Sequence, residues 1–302
     1  MTPVLRRAIP VLVGALALAH TACESKSPPR TPTGPGGAAP SGETTLSAMA
    51  VAPPLGNATS FAVVGASTVT NTGPTIVNGD LGVSPGTAVV GFPPGIVNGT
   101  IEAGTGAALA AQTSITAAYN QLAGQACDID LTGQNLGGLT LTPGAYCFSS
   151  SAQLTGTLTL DGLGNPGSVW VFQIGSTLTT ASGSSVQFVN GGQACGAFWQ
   201  VGSSATLGTT TAFAGNILAL ASITLTTGAT NSGAVFARNG AVTMDSNVLS
   251  TVGSCGSGPQ PSPTPFPGGS PTPPPVPTLP EMALLGLVAI LFISGAVLVS
   301  RG

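Results

Sequence analysis

Between residues 55 and 255 the chain alternates short β-rich stretches with clusters of glycine, asparagine, serine and proline. Thr75-Ile76-Val77, Ala88-Val89-Val90, Val169-Trp170-Val171-Phe172, Ala197-Phe198-Trp199, Ile217-Leu218-Ala219 and Ala234-Val235-Phe236 are such stretches. A second pattern runs through them. The dipeptide Thr-Leu, once Thr-Met, recurs at Thr140-Leu141, Thr157-Leu158, Thr177-Leu178, Thr206-Leu207, Thr224-Leu225 and Thr243-Met244. Four sites add a threonine two positions on: Thr142, Thr159, Thr179 and Thr226. In an extended strand alternate side chains face opposite ways, so Thr-Leu-Thr buries its leucine and exposes both threonines.

Each return takes roughly one coil of a solenoid, and the strand-turn-strand rhythm predicts an all-β solenoid. Stacked coils would bury a column of leucines and carry a ladder of threonines outside. A sandwich is the rival fold, but it would want hairpin turns and polar alternation on charged faces. One window breaks the β pattern. Over residues 105–123, Ala108, Ala111, Ile115, Ala118, Tyr119 and Leu122 recur at three- and four-residue steps, which predicts a helix with one apolar stripe ending at Gly124. That stripe should lie lengthwise on the solenoid.

The two ends read differently. Arg6 and Arg7, the apolar residues 8–18 and the small residues up to Cys23 form a signal peptide, residues 1–23. Ala22-Cys23 resembles a lipoprotein cleavage site, which makes Cys23 a candidate for lipidation, although His20 replaces the usual aliphatic residue. Residues 24–54 are a Pro/Ser/Thr-rich tether and residues 256–281 a Pro-rich linker. Residues 282–302 hold an uncharged run long enough to span a bilayer, followed by Arg301. The preceding Pro-Thr-Leu-Pro-Glu resembles a bacterial C-terminal sorting signal. The protein is therefore expected to be exported and membrane-anchored at the cell surface, with the folded domain at residues 55–255.

Charge narrows the function. Only 5% of residues are charged, and Arg238 is the sole base between residues 55 and 255. Such a surface cannot neutralise a phosphate backbone, which excludes nucleic acid as a partner. The one histidine, His20, sits in the signal, and residues 55–255 have no lysine. Asp128 and Asp130 are the only close carboxylates. Two carboxylates are a thin shell for calcium, and they read as solvated loop acids. An enzyme is not expected, nor a metal or cofactor. Cys127, Cys147, Cys195 and Cys255 are even in number in an exported chain, which points to two disulfides. Three pairings exist, and Cys127–Cys147 with Cys195–Cys255 is favoured. Zinc is not, because no histidine or Cys-x-x-Cys pair accompanies them.

The runs LGGLTLTPGAYCFSSSAQLTGTLTLDG, GSVWVFQIGSTLTTASGSSV and ACGAFWQVGSSATLGTTTAFAGNILALASITLTTGAT are similar to the bacterial and fungal ice-binding proteins with a discontinuous β-solenoid. The resemblance implies a right-handed solenoid of triangular section with one long helix alongside, and an N-terminal part completing the stack. It implies a monomeric, non-enzymatic domain that adsorbs to ice through one flat face and inhibits ice growth and recrystallisation. A threonine array suits that role. Rungs lie about 4.8 Å apart and like-facing residues about 6.7 Å apart along a strand. The stiff, β-branched side chains carry no tightly hydrated charge.

Two surfaces are candidates. One is the ladder of Thr140, Thr142, Thr157, Thr159, Thr177, Thr179, Thr206, Thr224, Thr226 and Thr243. The other is the adjoining edge of Thr180, Thr209, Thr227 and Thr230, where the family's ice-face pattern, Thr, Ala or Gly, any residue, then Thr or Asn, is met by Thr227-Gly228-Ala229-Thr230. Thr180-Ala181-Ser182-Gly183 meets only its first half, and Thr209-Thr210-Thr211-Ala212 fits less well. The alternative reading is a structural or adhesive cell-surface module that keeps the fold with little affinity for ice.

Overall fold

Trp170–Ile174 and Ala197–Val201 are apolar or buried at nearly every position, the mark of parallel strands covered on both sides. The computed structural model describes residues 50–253. The segments read as signal peptide, Pro-rich linker and membrane tail, and most of the tether, lie outside the described residues, as do Cys23 and Cys255. Among the described residues no helix is long and apolar enough to cross a membrane.

The strands form three parallel sheets. The helix-side sheet runs Ile101–Ala103, Asp80–Val83, Phe61–Gly65, Val235–Ala237, Asn216–Ala219, Ala197–Val201, Trp170–Ile174, Gly144–Phe148 and Ile129–Asp130. The second runs Ala152–Leu154, Leu178–Thr180, Ala205–Leu207, Ile223–Leu225, Val242–Asp245, Thr68–Thr72 and Ala88–Val90. The third runs Ile96–Val97, Ile76–Asn78, Val248–Ser250, Thr230–Ser232, Ala212–Ala214, Ser185–Val189, Thr157–Asp161 and Thr140–Leu141. Apart from the incomplete end coils, each coil contributes one strand to each face, so the stack is a three-sided β-solenoid.

Its coils are not in chain order. Val63 pairs with Val235, Thr70 with Thr243 and Ile76 with Val248, so the first coils of the chain stack on its last. The helix Gly106–Ala123 carries the chain back along the stack. At 18 residues it is ~27 Å long, nearly six rung spacings. Thr105 caps its N-terminus, the hydroxyl accepting from the Ala108 N–H at 3.3 Å. The stripe read from the sequence is its buried side, and it packs on Phe61, Val64, Val171, Phe198, Leu218 and Phe236. Gln112 is also buried there, donating to the Ala237 carbonyl at 3.1 Å.

Inside, like residues stack in register. Tyr146, Phe172 and Trp199 are consecutive rungs of one column, with ring centroids 5.5 and 3.9 Å apart. Both indole N–H groups are satisfied, Trp170 by Leu141 O and Trp199 by Ala214 O, each at 3.1 Å. Leu207, Leu225 and Met244 form an aliphatic column behind the second sheet. Cys127 and Cys147 are disulfide-bonded, tying the helix exit to the helix-side sheet. Cys195 is likewise disulfide-bonded.

Candidate functional site

The helix covers the outer side of one sheet, which leaves two faces open to a ligand. On the second sheet one outward register position reads Gln153, Thr179, Thr206, Thr224, Thr243, Thr70 and Val90 on successive rungs. Five consecutive threonines thus share one line, between a glutamine and a valine. None of these pairings carries a register shift, so the line follows the rung spacing without a bulge. Thr179 and Thr243 are exposed, while Thr70, Thr206 and Thr224 are half-buried by their neighbours. Thr177 flanks the line and donates to the Ser151 hydroxyl at 2.8 Å.

Thr70 belongs to this row and escapes the Thr-Leu search, because Thr68-Val69-Thr70-Asn71-Thr72 places valine and asparagine between its threonines. The signal was present as strict alternation. It lay in a part of the chain whose stacking on the C-terminal coil cannot be read from spacing.

The ladder read from the sequence is not one row. Thr140, Thr157 and Thr159 lie on the third sheet, where Thr159 pairs with Thr140 and Gln187. Thr157 exchanges a hydrogen bond with Ser185 at 2.9 Å. Thr142 is half-buried beside that sheet, and its carbonyl accepts from the Tyr146 hydroxyl at 2.6 Å. Alternation distinguishes inside from outside but not one outer face from another, and both faces use Thr-Leu. Thr180 is a second correction. It is buried, stands in the aliphatic column opposite Leu154, shares a hydrogen bond with Thr211 at 2.8 Å and accepts from the Gly208 N–H at 2.8 Å. It offers nothing to the exterior.

The remaining candidates form the corner between the two open faces. Thr209 and Thr227 are exposed on it. Thr226 is half-buried and gives its hydroxyl proton to Leu207 O at 2.8 Å, so it is partly committed to the fold. Thr230 is exposed on the third sheet, in a column that reads Thr157, Ser185, Ala212, Thr230, Val248, Ile76 and Ile96. That column turns from hydroxyl to aliphatic along its length.

Charge is kept off the threonine row. Asp245, in register with Thr72 at its margin, turns its carboxylate to the corner, where Thr227 and Ser246 donate to it. The Arg238 guanidinium lies over the Tyr119 ring, 4.4 Å from its centroid, on the helix side. The close acids are occupied by backbone donors: Asp128 accepts from Ala145 N and Asp130 from Thr132 N, each at 2.8 Å. Hydrogen bonds from the Thr132 hydroxyl and then from its backbone N–H hold the Asp130 carboxyl below its ordinary value. A groove of about 460 Å³ at the helix exit is lined by Cys127, Cys147, Gln173 and Gln200, with Asp130 as its sole carboxylate. Among the described residues no three metal-ligating side chains cluster.

Comparison with known proteins gives a consistent result. The family model described as "Ice-binding-like" matches residues 63–250. An ice-binding protein of Nostoc sp. (strain HG1) is 59% identical over 207 residues, covering 68% of this chain and 76% of that protein. One from Flavobacterium frigoris is 32% identical, covering 65% of this chain and 75% of that protein. Among solved structures, an ice-binding protein from an Antarctic biological consortium aligns at TM-score 0.66 with 48% identity, covering 68% of this chain and 93% of that one. One from the Antarctic ascomycete Antarctomyces psychrotrophicus aligns at TM-score 0.66 with 40% identity, covering 68% and 100%.

Proposed function

Because this chain belongs to the ice-binding-like family, we propose that it binds ice through its second sheet, without catalysis, and so restrains ice growth and recrystallisation. The observation that carries this reading is the single line of Thr179, Thr206, Thr224, Thr243 and Thr70, with the carboxylate of Asp245 held at its margin. Each methyl and hydroxyl repeats at the rung spacing of about 4.8 Å, so a sheet of ordered water can be matched over many sites at once. Individually weak contacts then add along a rigid array. Little side-chain freedom remains to be lost, because the branched side chains are already stiff in a strand.

The same reading places the protein outside the cell, tethered to its surface. The signal-like residues 1–23, with or without a lipid on Cys23, and the apolar residues 282–302 support that placement. The alternative, an adhesive module on the same scaffold, draws on the shortness of the row, which ends at Gln153 and Val90.

Ice-affinity partitioning and recrystallisation assays of the full chain, with Thr206→Tyr and Thr224→Tyr beside it, test the proposal. The parent should enter ice and both variants should be largely excluded. A parent that stays in the liquid would overturn ice binding. Variants that partition like the parent would overturn the choice of face.

A further inference from the structure

The corner between the two open faces is a stack of left-handed residues. Gly183, Thr210, Gly228, Ser246 and Gly73 have φ of 70°, 57°, 73°, 55° and 75°. They sit on successive rungs, because Gly183 N donates to Thr209 O, Thr210 N to Thr227 O, Gly228 N to Asp245 O and Ser246 N to Thr72 O. Glycine is the residue this conformation favours, and it fills three of the five positions. Ser246 has a local reason to be there, since its hydroxyl donates to Asp245 at 3.0 Å. Thr210 has less. A β-branched residue in the left-handed region is a genuine outlier. Its hydroxyl reaches only the carbonyl of its own neighbour, Thr209, at 2.7 Å, and its side chain is exposed. The methyl of Thr210 lies over Gly228 on the next rung, 3.5 Å from where a Cβ would stand.

Strain held at an exposed position, where glycine would relieve it, calls for a task performed outside the fold. We propose that Thr210 contacts the ordered-water lattice, and that with Thr209 it extends the adsorbing surface from the second sheet onto the corner. The inference rests on the ice-binding reading above and adds a residue to that site. Thr210 occupies the place where the family's ice-face pattern has alanine or glycine.

Thr210→Gly and Thr210→Asn separate the alternatives, because both residues accept the left-handed conformation. Each variant of the full chain should melt at the parent's temperature or above it, while the concentration needed to stop recrystallisation rises about threefold. Thr206→Tyr serves as the control for the main face. Full activity in both Thr210 variants, with Thr206→Tyr weakened about tenfold, would overturn the inference and leave the second-sheet reading intact. A fall in melting temperature that accompanies the loss of activity would also overturn it, by assigning Thr210 to the fold. An inactive parent would instead remove the reading on which it rests.

Discussion

Thr70 and Thr243 are partners on adjacent rungs of one sheet, although they come from opposite ends of the described chain. The threonine row crosses this seam without a change of register, so its length depends on non-covalent docking of the first coils. Thr70→Tyr should therefore weaken ice activity about tenfold, as Thr206→Tyr should, while the melting temperature stays within a few degrees. Recrystallisation inhibition and calorimetry on the two variants side by side check this. Unchanged activity in Thr70→Tyr would confine the working surface to the C-terminal coils.

Leu178 and Leu225 point into the stack and are fully or almost fully buried. Their truncation to alanine should cost about 2–5 kcal/mol by opening a cavity that close-packed neighbours cannot fill. Thr179→Tyr, one residue along and outward, should change stability by less than about 0.5 kcal/mol. Denaturant melts measure both. Equal losses would mean that the inward and outward assignments are wrong.

Thr180 gives a prediction of the opposite kind. Its hydroxyl serves Thr211 and the Gly208 N–H inside the fold. Thr180→Val keeps the shape but strands those groups, so it should cost about 1–3 kcal/mol. Ice activity at a temperature where the variant remains folded should equal the parent's. A loss of activity without a loss of stability would return Thr180 to the exterior.

Burial pushes the Tyr146 hydroxyl up to about 12, outweighing the lowering effect of the Thr142 side chain, and the nearby Asp128 charge acts in the same direction as burial. The folded state therefore holds this proton more tightly than the unfolded chain, whose tyrosine ionises near 10. Between these values the unfolded state binds fewer protons, so stability should fall as pH rises. The loss attributable to Tyr146 should reach on the order of 2 kcal/mol, and Tyr146→Phe should flatten that part of the profile. Urea midpoints from pH 9 to 12 check it. An equally steep decline in Tyr146→Phe would assign the alkaline sensitivity elsewhere.

Much of the fold was legible because two periods were clean. Alternation placed Leu158, Leu178, Leu207 and Leu225 inside, and the three- and four-residue steps marked the buried side of the helix. What alternation lacks is an address. Thr157 and Thr206 have the same local sequence and the same outward sense, yet they lie on different sheets, because turn lengths decide which side of the stack a strand joins. Thr180 shows the converse. Its parity after Thr179 already marks it as inward, and only a motif borrowed from relatives placed it outside. Thr70 and Thr210 were missed for physical reasons of their own. One depends on contact between distant parts of the chain, and the other on a backbone angle that composition does not reveal.

The docking of Val63, Thr70 and Ile76 onto Val235, Thr243 and Val248 has a bearing on synthesis. The opening coils emerge before the coil they must rest on exists, so they wait with an open edge while the helix and six further turns of chain follow. Closure has to span nearly the whole domain, and such distant pairing is slow. Until it closes, the bare edge is a template for other chains. The time between the appearance of Val83 and that of Ser250 is thus the interval in which the opening coils present an unpaired edge.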